Sequence, residues 1–421
     1  MTHQPPEVCC SDEHDPRSLT ADEARRRIVE AVGPVTGRER LALRSALDRV
    51  LAEPVRSRID VPGHDNSAMD GYALHSRELE SGGRVSLRVV GTSWAGRPYT
   101  GRIGSGECIR IFTGAVLPPD ADTVVVQERV ERKGDIIHFD ATDQKKAQNV
   151  RYAGEDIRAG QTVLEPGRRL TPADLGLLAS VGVGEVTVRR CPRVAFFSTG
   201  DELRGVGEPL EPGEIYDSNR YTLHGMLTRL GVETLDMGVI RDEPEAVHRA
   251  FREAAEIADV VMTSGGVSVG EADYVKDALE ALGEVTFWKV AIKPGRPLAF
   301  GRLGGAWFFG LPGNPVSVMV TFYLFAQPAL RRMMGEPPRE PLRMRVRCTS
   351  RLRKRPGRME FQRGVLEPAA DGAWTVRSTG AQGSGILTSM SEADCLIVLP
   401  LESSGVEAGE VVEVIPFCDL V

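Results

Sequence analysis

The stretch from residue 192 to residue 330 alternates short apolar runs with amphipathic runs, and this alternation constrains the fold more than any other feature. The runs RVAFFSTG, VETLDMGVI, DVVMTSGG, VTFWKVAI and AWFFGLPGNP are typical of buried strands. Helical patterns separate them; Ser218 caps the first, which ends at Gly231, and Asp242 and Pro244 begin the second. A repeated strand–helix order predicts a doubly wound parallel sheet.

Three of these strands run into turns of small residues, STGDEL (198–203), TSGGVSVGEAD (263–273) and GLPGNPVS (310–317). Glycine lets a backbone approach a ligand closely, and the N–H groups at the next helix start favour anions. Every fold of this class needs tight strand-to-helix turns, so one such turn alone has a sufficient structural explanation. Three at the carboxyl edge of one sheet favour a ligand site there.

No charged residue occurs between Leu303 and Leu330, which is long enough to imitate a membrane span. Pro312, Asn314 and Pro315 interrupt the stretch near its middle. We therefore predict a buried strand, a turn and a helix here, and no membrane segment.

Charged side chains cluster near the predicted strand ends. Asp201, Glu202 and Asp273 could hold Mg2+, which takes carboxylate and phosphate oxygens, although Asp273 fits a helix N-terminus equally well. Ser268 could donate to a phosphate or cap the same helix. The run KVAIKPGRP adds Lys289, Lys293 and Arg296. Such a run usually marks a solvated face, but the chain has only seven lysines and two prolines stiffen the loop, so an anion-binding role is favoured.

A basic tract follows from Arg343 to Arg363, with nine arginines and lysines against one acid, Glu360. A solvated face, a phosphate or oxyanion site, and nucleic-acid binding remain open for it. Phe361 is its only aromatic residue, which disfavours nucleic acid because no stacking platform is present. Near the N-terminus, DVPGHDNSAMDGYAL (60–74) is too polar for a core strand, and we interpret it as a structured loop with a site role.

The patterns predict an α/β multidomain protein in five parts. Thr20 and Glu23 form a capping box that opens a helix through Ala31, with Leu19 as its staple, and a second helical run covers 41–51. The parts are a loose tail (1–17), a discontinuous, elongated helical domain (18–58 and 150–190), an inserted β-rich domain (59–149), the α/β domain (191–334) and a C-terminal β domain (335–421).

Composition excludes several classes. The net charge is -7, which disfavours a general nucleic-acid binder. No lysine follows a glycine, so the Gly-Lys pair of a P-loop is absent. The sequence also lacks an H-E-x-x-H array, which disfavours a zinc hydrolase. The seven cysteines are scattered and form no C-x-x-C, and the N-terminus has no apolar run. Both observations favour a protein of the reducing cytoplasm.

Ten motifs together resemble the MoeA family of molybdopterin molybdenumtransferases, which is similar to the E domain of gephyrin. They are DNSAMDGYA (65–73), IFTGAVLPPDADTVVVQE (111–128), RYAGEDIRAG (151–160), STGDEL, IYDSN (215–219), SGGVSVGEADY (264–274), KVAIKPGRPLAFG (289–301), GLPGNPVSV (310–318), PGRMEFQRG (356–364) and TGAQGSG (379–385). The resemblance begins near residue 18 and implies a molybdopterin-binding-like α/β domain. It also implies Mg2+-dependent insertion of molybdate into adenylyl-molybdopterin, with release of AMP.

The resemblance also implies roles for matching positions. The implied catalytic residues are Asp70, Thr113, Glu202, Asp242, Asp273, Lys289 and Lys293, with Glu202 and Asp273 at the metal. Substrate binding is implied for Asp156, Ser268, Arg296, Pro312 and Pro315, and molybdate binding for Ser317, Arg363 and Ser384. The resemblance further implies a homodimer with a cleft between subunits. Transient contact with other enzymes of cofactor synthesis is also expected.

Two alternatives stay open. A molybdopterin adenylyltransferase resembles only residues 192–334, and the additional domains disfavour it. A scaffold that binds the cofactor without turnover is the other, disfavoured because no long linker is present and the acidic motif residues are retained.

Overall fold

The computed structural model describes residues 18–265 and 274–420. The chain divides into two compact units, one formed by residues up to Glu39 with those from Arg189 onward, the other by Arg40–Val188. The five-part division stays a prediction. Ser268, Asp273 and the tail 1–17 lie outside the described residues.

Elements of the first half of the chain are mostly short strands. They are α1 (Ala21–Ala31), β1 (Arg38–Ala42), β2 (Val55–Arg56), β3 (Asn66–Ser67), β4 (Gly71–Leu74), β5 (Arg84–Ser93), β6 (Glu107–Ile111), β7 (Thr123–Val126), β8 (Val130–Lys133), β9 (Ile136–Asp140), β10 (Val150–Arg151), β11 (Thr162–Leu164), α2 (Pro172–Ser180) and β12 (Glu185–Arg189). Strands β4 to β9 form one sheet in the order β7-β4-β6-β5-β9-β8, which agrees with the predicted β-rich character of this stretch.

Two expectations near the N-terminus have different outcomes. Helix α1 has the predicted limits, and the hydroxyl of Thr20 accepts a hydrogen bond from the N–H of Glu23. The predicted helical run at 41–51 is wrong. Asp48 has a φ of 60°, and the backbone from Asp48 to Leu51 bonds to residues 168–170 instead. These non-local pairings override the local helical pattern.

The α/β part contains β13 (Arg193–Thr199), β14 (Leu203–Arg204), β15 (Ile215–Tyr216), α3 (Ser218–Leu230), β16 (Glu233–Ile240), α4 (Pro244–Ile257), β17 (Val260–Ser264), α5 (Tyr274–Leu282), β18 (Gly283–Lys289), β19 (Ile292–Lys293), β20 (Pro297–Leu303), β21 (Ala306–Leu311), α6 (Pro315–Thr321), a π-helical segment (Phe322–Ala326) and α7 (Gln327–Met333). The sheet order is β16-β13-β17-β21-β20-β18. The ring of Phe197 packs on Phe251 of α4 and the ring of Phe196 lies near His224 of α3, so helices cover both faces.

The doubly wound architecture is confirmed, with corrections. Strands β16, β13, β17 and β21 are parallel, but β20, which the sequence pattern missed, runs antiparallel between β21 and β18. The N-cap of α3 is Asp217 rather than Ser218, because its carboxylate accepts from the N–H of Arg220. Glu243, not Asp242, is the N-cap of α4. The uncharged stretch forms β21, α6 and the π-helical segment, and no described helix is long and apolar enough to cross a membrane.

The last part contains β22 (Met344–Cys348), β23 (Leu352–Arg353), β24 (Met359–Pro368), β25 (Trp374–Ser378), α8 (Leu387–Glu392), β26 (Cys395–Leu399), β27 (Gly405–Val406), β28 (Val411–Pro416) and α9 (Phe417–Leu420). Strands β24, β25, β22, β28 and β26 close into a barrel because β24 also pairs with β26. Strand β19 of the α/β part adds to this barrel alongside β24.

Candidate functional site

The three glycine-containing turns begin at one edge of the α/β sheet, and the structure describes the second of them as far as Gly265. Ser198 of β13 is in register with Ser264 of β17, which is in register with Leu311 of β21. The hydroxyls of Ser198 and Ser264 are buried and lie 2.9 Å apart. Because all three strands are parallel and in register, the turns that follow them begin at the same carboxyl edge, as the sequence predicted.

Close backbone approach holds these turns together. Gly265 has a φ of +90°, and a Cβ there would lie 3.1 Å from the carbonyl oxygen of Thr199. The side-chain Nδ2 of Asn219, at the start of α3, donates to the carbonyl oxygen of Gly313 at 2.6 Å. Pro312 is buried directly after β21, and Pro315 occupies the first turn of α6. The third turn is therefore held by a hydrogen bond from α3 and leads directly into α6.

Acidic residues follow β13 and its neighbour β16 at this edge. Asp201 and Glu202 are exposed after β13, and Asp242 follows β16. The N–H of Asp242 donates to Oδ1 of Asp201 at 3.2 Å. The carboxyl edge thus places three predicted acidic positions on neighbouring strands. Among the described residues no group of three metal-binding side chains is assembled.

The cationic run forms the hairpin between β18 and β20. Lys289 is in register with Pro297 at its base. Because β20 is antiparallel to β21, this hairpin lies at the same edge as the three turns. A Cβ on Gly295 would lie 2.6 Å from the side chain of Thr321, so the hairpin packs closely on α6. Lys289, Lys293 and Arg296 are thereby brought to the predicted edge.

Lys293 also meets the C-terminal barrel. It is in register with Glu360 in the parallel pairing of β19 with β24. Its Nζ lies 3.5 Å from Oε1 of Glu360, whose side chain is almost fully buried. The sequence analysis did not identify Glu360 as a site residue. Its position as the one acid of the basic tract could have indicated it.

Arg363, three residues further along β24, is buried at 1% exposure. Its guanidinium donates to the hydroxyl of Ser389 and to the carbonyl oxygens of Ala381 and Gly383. No carboxylate of the described residues forms an ion pair with it. Burial lowers the pKa of Arg363 to about 10, and the negative charge of Glu360 opposes this shift.

The three residues predicted to bind molybdate lie on segments in contact. Ser384 follows Gly383, whose carbonyl accepts from Arg363, and the carbonyl of Ser384 accepts from the N–H of Val316. Ser317, buried at 3% exposure, comes next on α6. The barrel and the α/β part therefore bring Ser317, Arg363 and Ser384 into one region. Sequence reasoning missed Gln382 and Ser389, which hold Arg363 in place.

The other compact unit carries Asp70, Thr113 and Asp156. The N–H and the hydroxyl of Thr113 both donate to Oδ1 of Asp70, at 2.8 and 2.7 Å. The backbone donor first and the hydroxyl second lower the pKa of Asp70, so it is a carboxylate at neutral pH. Asp156 is exposed, and its N–H donates to the carbonyl of Val61.

Family comparisons match nearly the whole chain. Residues 19–182 match the MoeA N-terminal region (domain I and II), 195–332 a probable molybdopterin binding domain, and 345–417 the MoeA C-terminal region (domain IV). The chain is 44% identical over 400 residues to the molybdopterin molybdenumtransferase of Haemophilus influenzae, covering 95% of this chain and 98% of that protein. The chain belongs to the MoeA family. It is accordingly a transferase of molybdenum cofactor biosynthesis, as the motifs predicted.

Other MoeA relatives agree. The molybdopterin molybdenumtransferase of a Nostoc species is 37% identical, covering 87% of this chain and 86% of that protein. The crystal structure of the molybdopterin biosynthesis moeA protein from Pyrococcus horikoshii superposes with a TM-score of 0.83 at 28% identity, covering 95% of this chain and 100% of that one. The multidomain MoeA architecture is therefore present here.

Proposed function

We propose that this chain inserts molybdate into adenylyl-molybdopterin, assisted by Mg2+, and releases AMP and the molybdenum cofactor. The observation that carries the proposal is Arg363, a buried guanidinium without an ion pair among the described residues. A buried charge is costly unless an opposite charge compensates it, so this position favours an anionic ligand. The neighbouring Ser317 and Ser384 have hydroxyls that suit an oxyanion such as molybdate.

The proposed chemistry balances without an oxidant or reductant. The two thiols of the dithiolene lose their protons to one molybdate oxygen, which leaves as water while two sulfur–molybdenum bonds form. One water is consumed when the phosphoanhydride bond breaks to give AMP. The site's work is then to hold two anions in register, which favours fixed cations and a preorganised backbone.

We assign the substrate anhydride to the cationic hairpin. Lys289, Lys293 and Arg296 supply positive charge at the edge where the three turns meet. Ser268 would contribute a hydroxyl, and Pro312 and Pro315 would shape the pterin side of the cleft. Asp70, Thr113 and Asp156 would also act on the substrate, with Asp70 accepting hydrogen bonds as a carboxylate.

Mg2+ needs one or two carboxylates together with waters and phosphate oxygens. The exposed carboxylate of Glu202, with Asp201 and Asp242 on neighbouring strands, fits that requirement. We propose that Glu202 and Asp273 hold the ion. Bound there, Mg2+ would neutralise charge on the anhydride.

A direct test supplies purified protein with adenylyl-molybdopterin and measures AMP by chromatography. Release that requires both Mg2+ and molybdate supports the proposal, and a tungstate series measures the choice between the two oxyanions. No release with both ions present overturns it. Adenylylation of molybdopterin from ATP would instead indicate an adenylyltransferase.

We further propose a cytoplasmic homodimer whose cleft takes residues from both subunits. Asp70→Asn and Arg363→Met variants, each strongly impaired alone at a molybdate concentration that only half-saturates the wild type, are unfolded and refolded together, and the mixture is assayed at that concentration. If the two residues act from different subunits, mixed dimers restore about a quarter of wild-type activity. Absence of recovery, with dimers verified by sedimentation, contradicts the shared cleft.

A further inference from the structure

We infer that Glu360, a residue of the C-terminal barrel, is a positioning residue for Lys293. The inference rests on the proposed function, because Lys293 must act on the substrate for its position to matter. It gives the barrel a second contribution to the site, in addition to Arg363 on the same strand. None of the sequence motifs assigns a role to Glu360.

Main-chain pairing fixes where the two residues meet. In the parallel pairing of β19 with β24, Lys293 is opposite Glu360 and Ile292 is opposite Met359. The N–H of Met359 donates to the carbonyl oxygen of Ala291 at 2.9 Å. The contact between the side chains therefore starts from a fixed backbone separation.

The two side chains differ sharply in exposure. Glu360 is 7% exposed at its side chain, whereas Lys293 is 44% exposed. The Nε2 of Gln362 donates to Oε1 of Glu360 at 3.1 Å and to the carbonyl of Arg353 at 2.9 Å, which orients the carboxylate. A fixed, buried carboxylate thus lies 3.5 Å from the ammonium of a lysine whose side chain is half-exposed. This arrangement restricts a flexible lysine side chain and leaves it partly accessible.

A second cation, Lys354, is an alternative partner for the buried charge of Glu360. Lys354 is buried and donates to the carbonyl oxygens of Arg355, Leu401 and Ser403. Burial lowers the pKa of Lys354, and the charge of Glu360 opposes the shift. Glu360 would then stabilise the barrel rather than serve the reaction. The test must separate action through Lys293 from action through Lys354.

A double-mutant cycle makes this separation. Glu360→Gln keeps the shape of the side chain and removes its charge, and Lys293→Met removes the ammonium. Glu360→Asp tests rescue by a shorter carboxylate. Glu367→Gln is the matched control, since Glu367 lies on the same strand in a half-exposed ion pair with Arg377. Melting temperatures confirm that each variant folds.

In otherwise wild-type protein, Glu360→Gln lowers kcat by about tenfold while KM for adenylyl-molybdopterin changes by less than about threefold. In the Lys293→Met background the same change alters kcat by less than about twofold. Glu360→Asp recovers part of kcat, and Glu367→Gln matches wild type. An equal loss from Glu360→Gln in both backgrounds overturns the inference in favour of the barrel role. Inactive wild-type protein would contradict the proposed function instead.

Discussion

The Nε of Arg363 on β24 donates a hydrogen bond to the hydroxyl of Ser389 on α8, 3.0 Å away. This contact holds the guanidinium in place without neutralising it, because serine carries no charge. We therefore expect an anion to stabilise the folded protein through Arg363. At a molybdate concentration one hundred times the Kd, the stabilisation is about 2.7 kcal/mol, measurable as a rise in Tm.

The control for that experiment is Arg347→Met, because Arg347 is exposed on β22 of the same barrel. Molybdate should raise Tm equally in wild type and in Arg347→Met, and clearly less in Arg363→Met. Equal rises in all three proteins would mean that molybdate binds elsewhere.

Thr113→Val should change the pH dependence of the reaction through Asp70. The hydroxyl of Thr113 helps to lower the pKa of Asp70, while the larger contribution, from the backbone N–H, remains in the variant. The pKa of Asp70 therefore rises part of the way to its ordinary value, and the acid limb of the kcat/KM profile moves to higher pH. Thr113→Ser keeps the donor and should retain the wild-type profile. A Thr113→Val profile without this shift argues against an ionised Asp70 in the reaction.

Gly265→Ala should cost stability and activity together. Its φ of +90° makes any L side chain unfavourable by about 1–2 kcal/mol, and the new Cβ would also lie 3.1 Å from the carbonyl of Thr199. Gly231→Ala is the control, because Gly231 has a φ of +84° but open space around it. Both variants should lose stability in urea unfolding. Only Gly265→Ala should lower kcat/KM, and a matching loss in Gly231→Ala would assign the effect to stability alone.

The pairing of Asp259 with Arg190 should make the free energy of unfolding depend on pH in the acid range. Arg190 donates to both carboxylate oxygens, at 2.7 and 2.8 Å, and the N–H of Arg193 donates as well. Burial alone would raise the pKa of Asp259, but these hydrogen bonds outweigh it and lower the pKa. Its stabilisation is present above the unfolded-state pKa and is lost as pH falls through the folded value.

Asp259→Asn should therefore reduce the free energy of unfolding at pH 7 by about 1–3 kcal/mol and by less at acid pH. Asp371→Asn, on an exposed turn of the barrel, is the control and should leave both values unchanged. A constant difference between wild type and Asp259→Asn across the pH range would contradict the linkage.

Local sequence was enough to predict the edge where β13, β17 and β21 end, because parallel strands of one sheet have their carboxyl ends together. It was not enough for β20, whose apolar run PLAFGRL gives no indication of strand direction. The pair of Lys293 and Glu360 joins residues far apart in the chain through β19, a strand of two residues. The run at 41–51 failed because its partners at 168–170 lie in a distant segment. Predicted roles at Ser268 and Asp273 stay predictions.

Binding of molybdate by Arg363 is the step on which the proposed insertion into adenylyl-molybdopterin depends. The most direct measurement is the initial rate of AMP release against molybdate concentration, at saturating Mg2+ and adenylyl-molybdopterin, for wild type and Arg363→Met. We expect saturation with molybdate in wild type and, in the variant, at least about a tenfold higher half-saturating concentration, because a charged partner is lost. Identical saturation curves for the two proteins would contradict it.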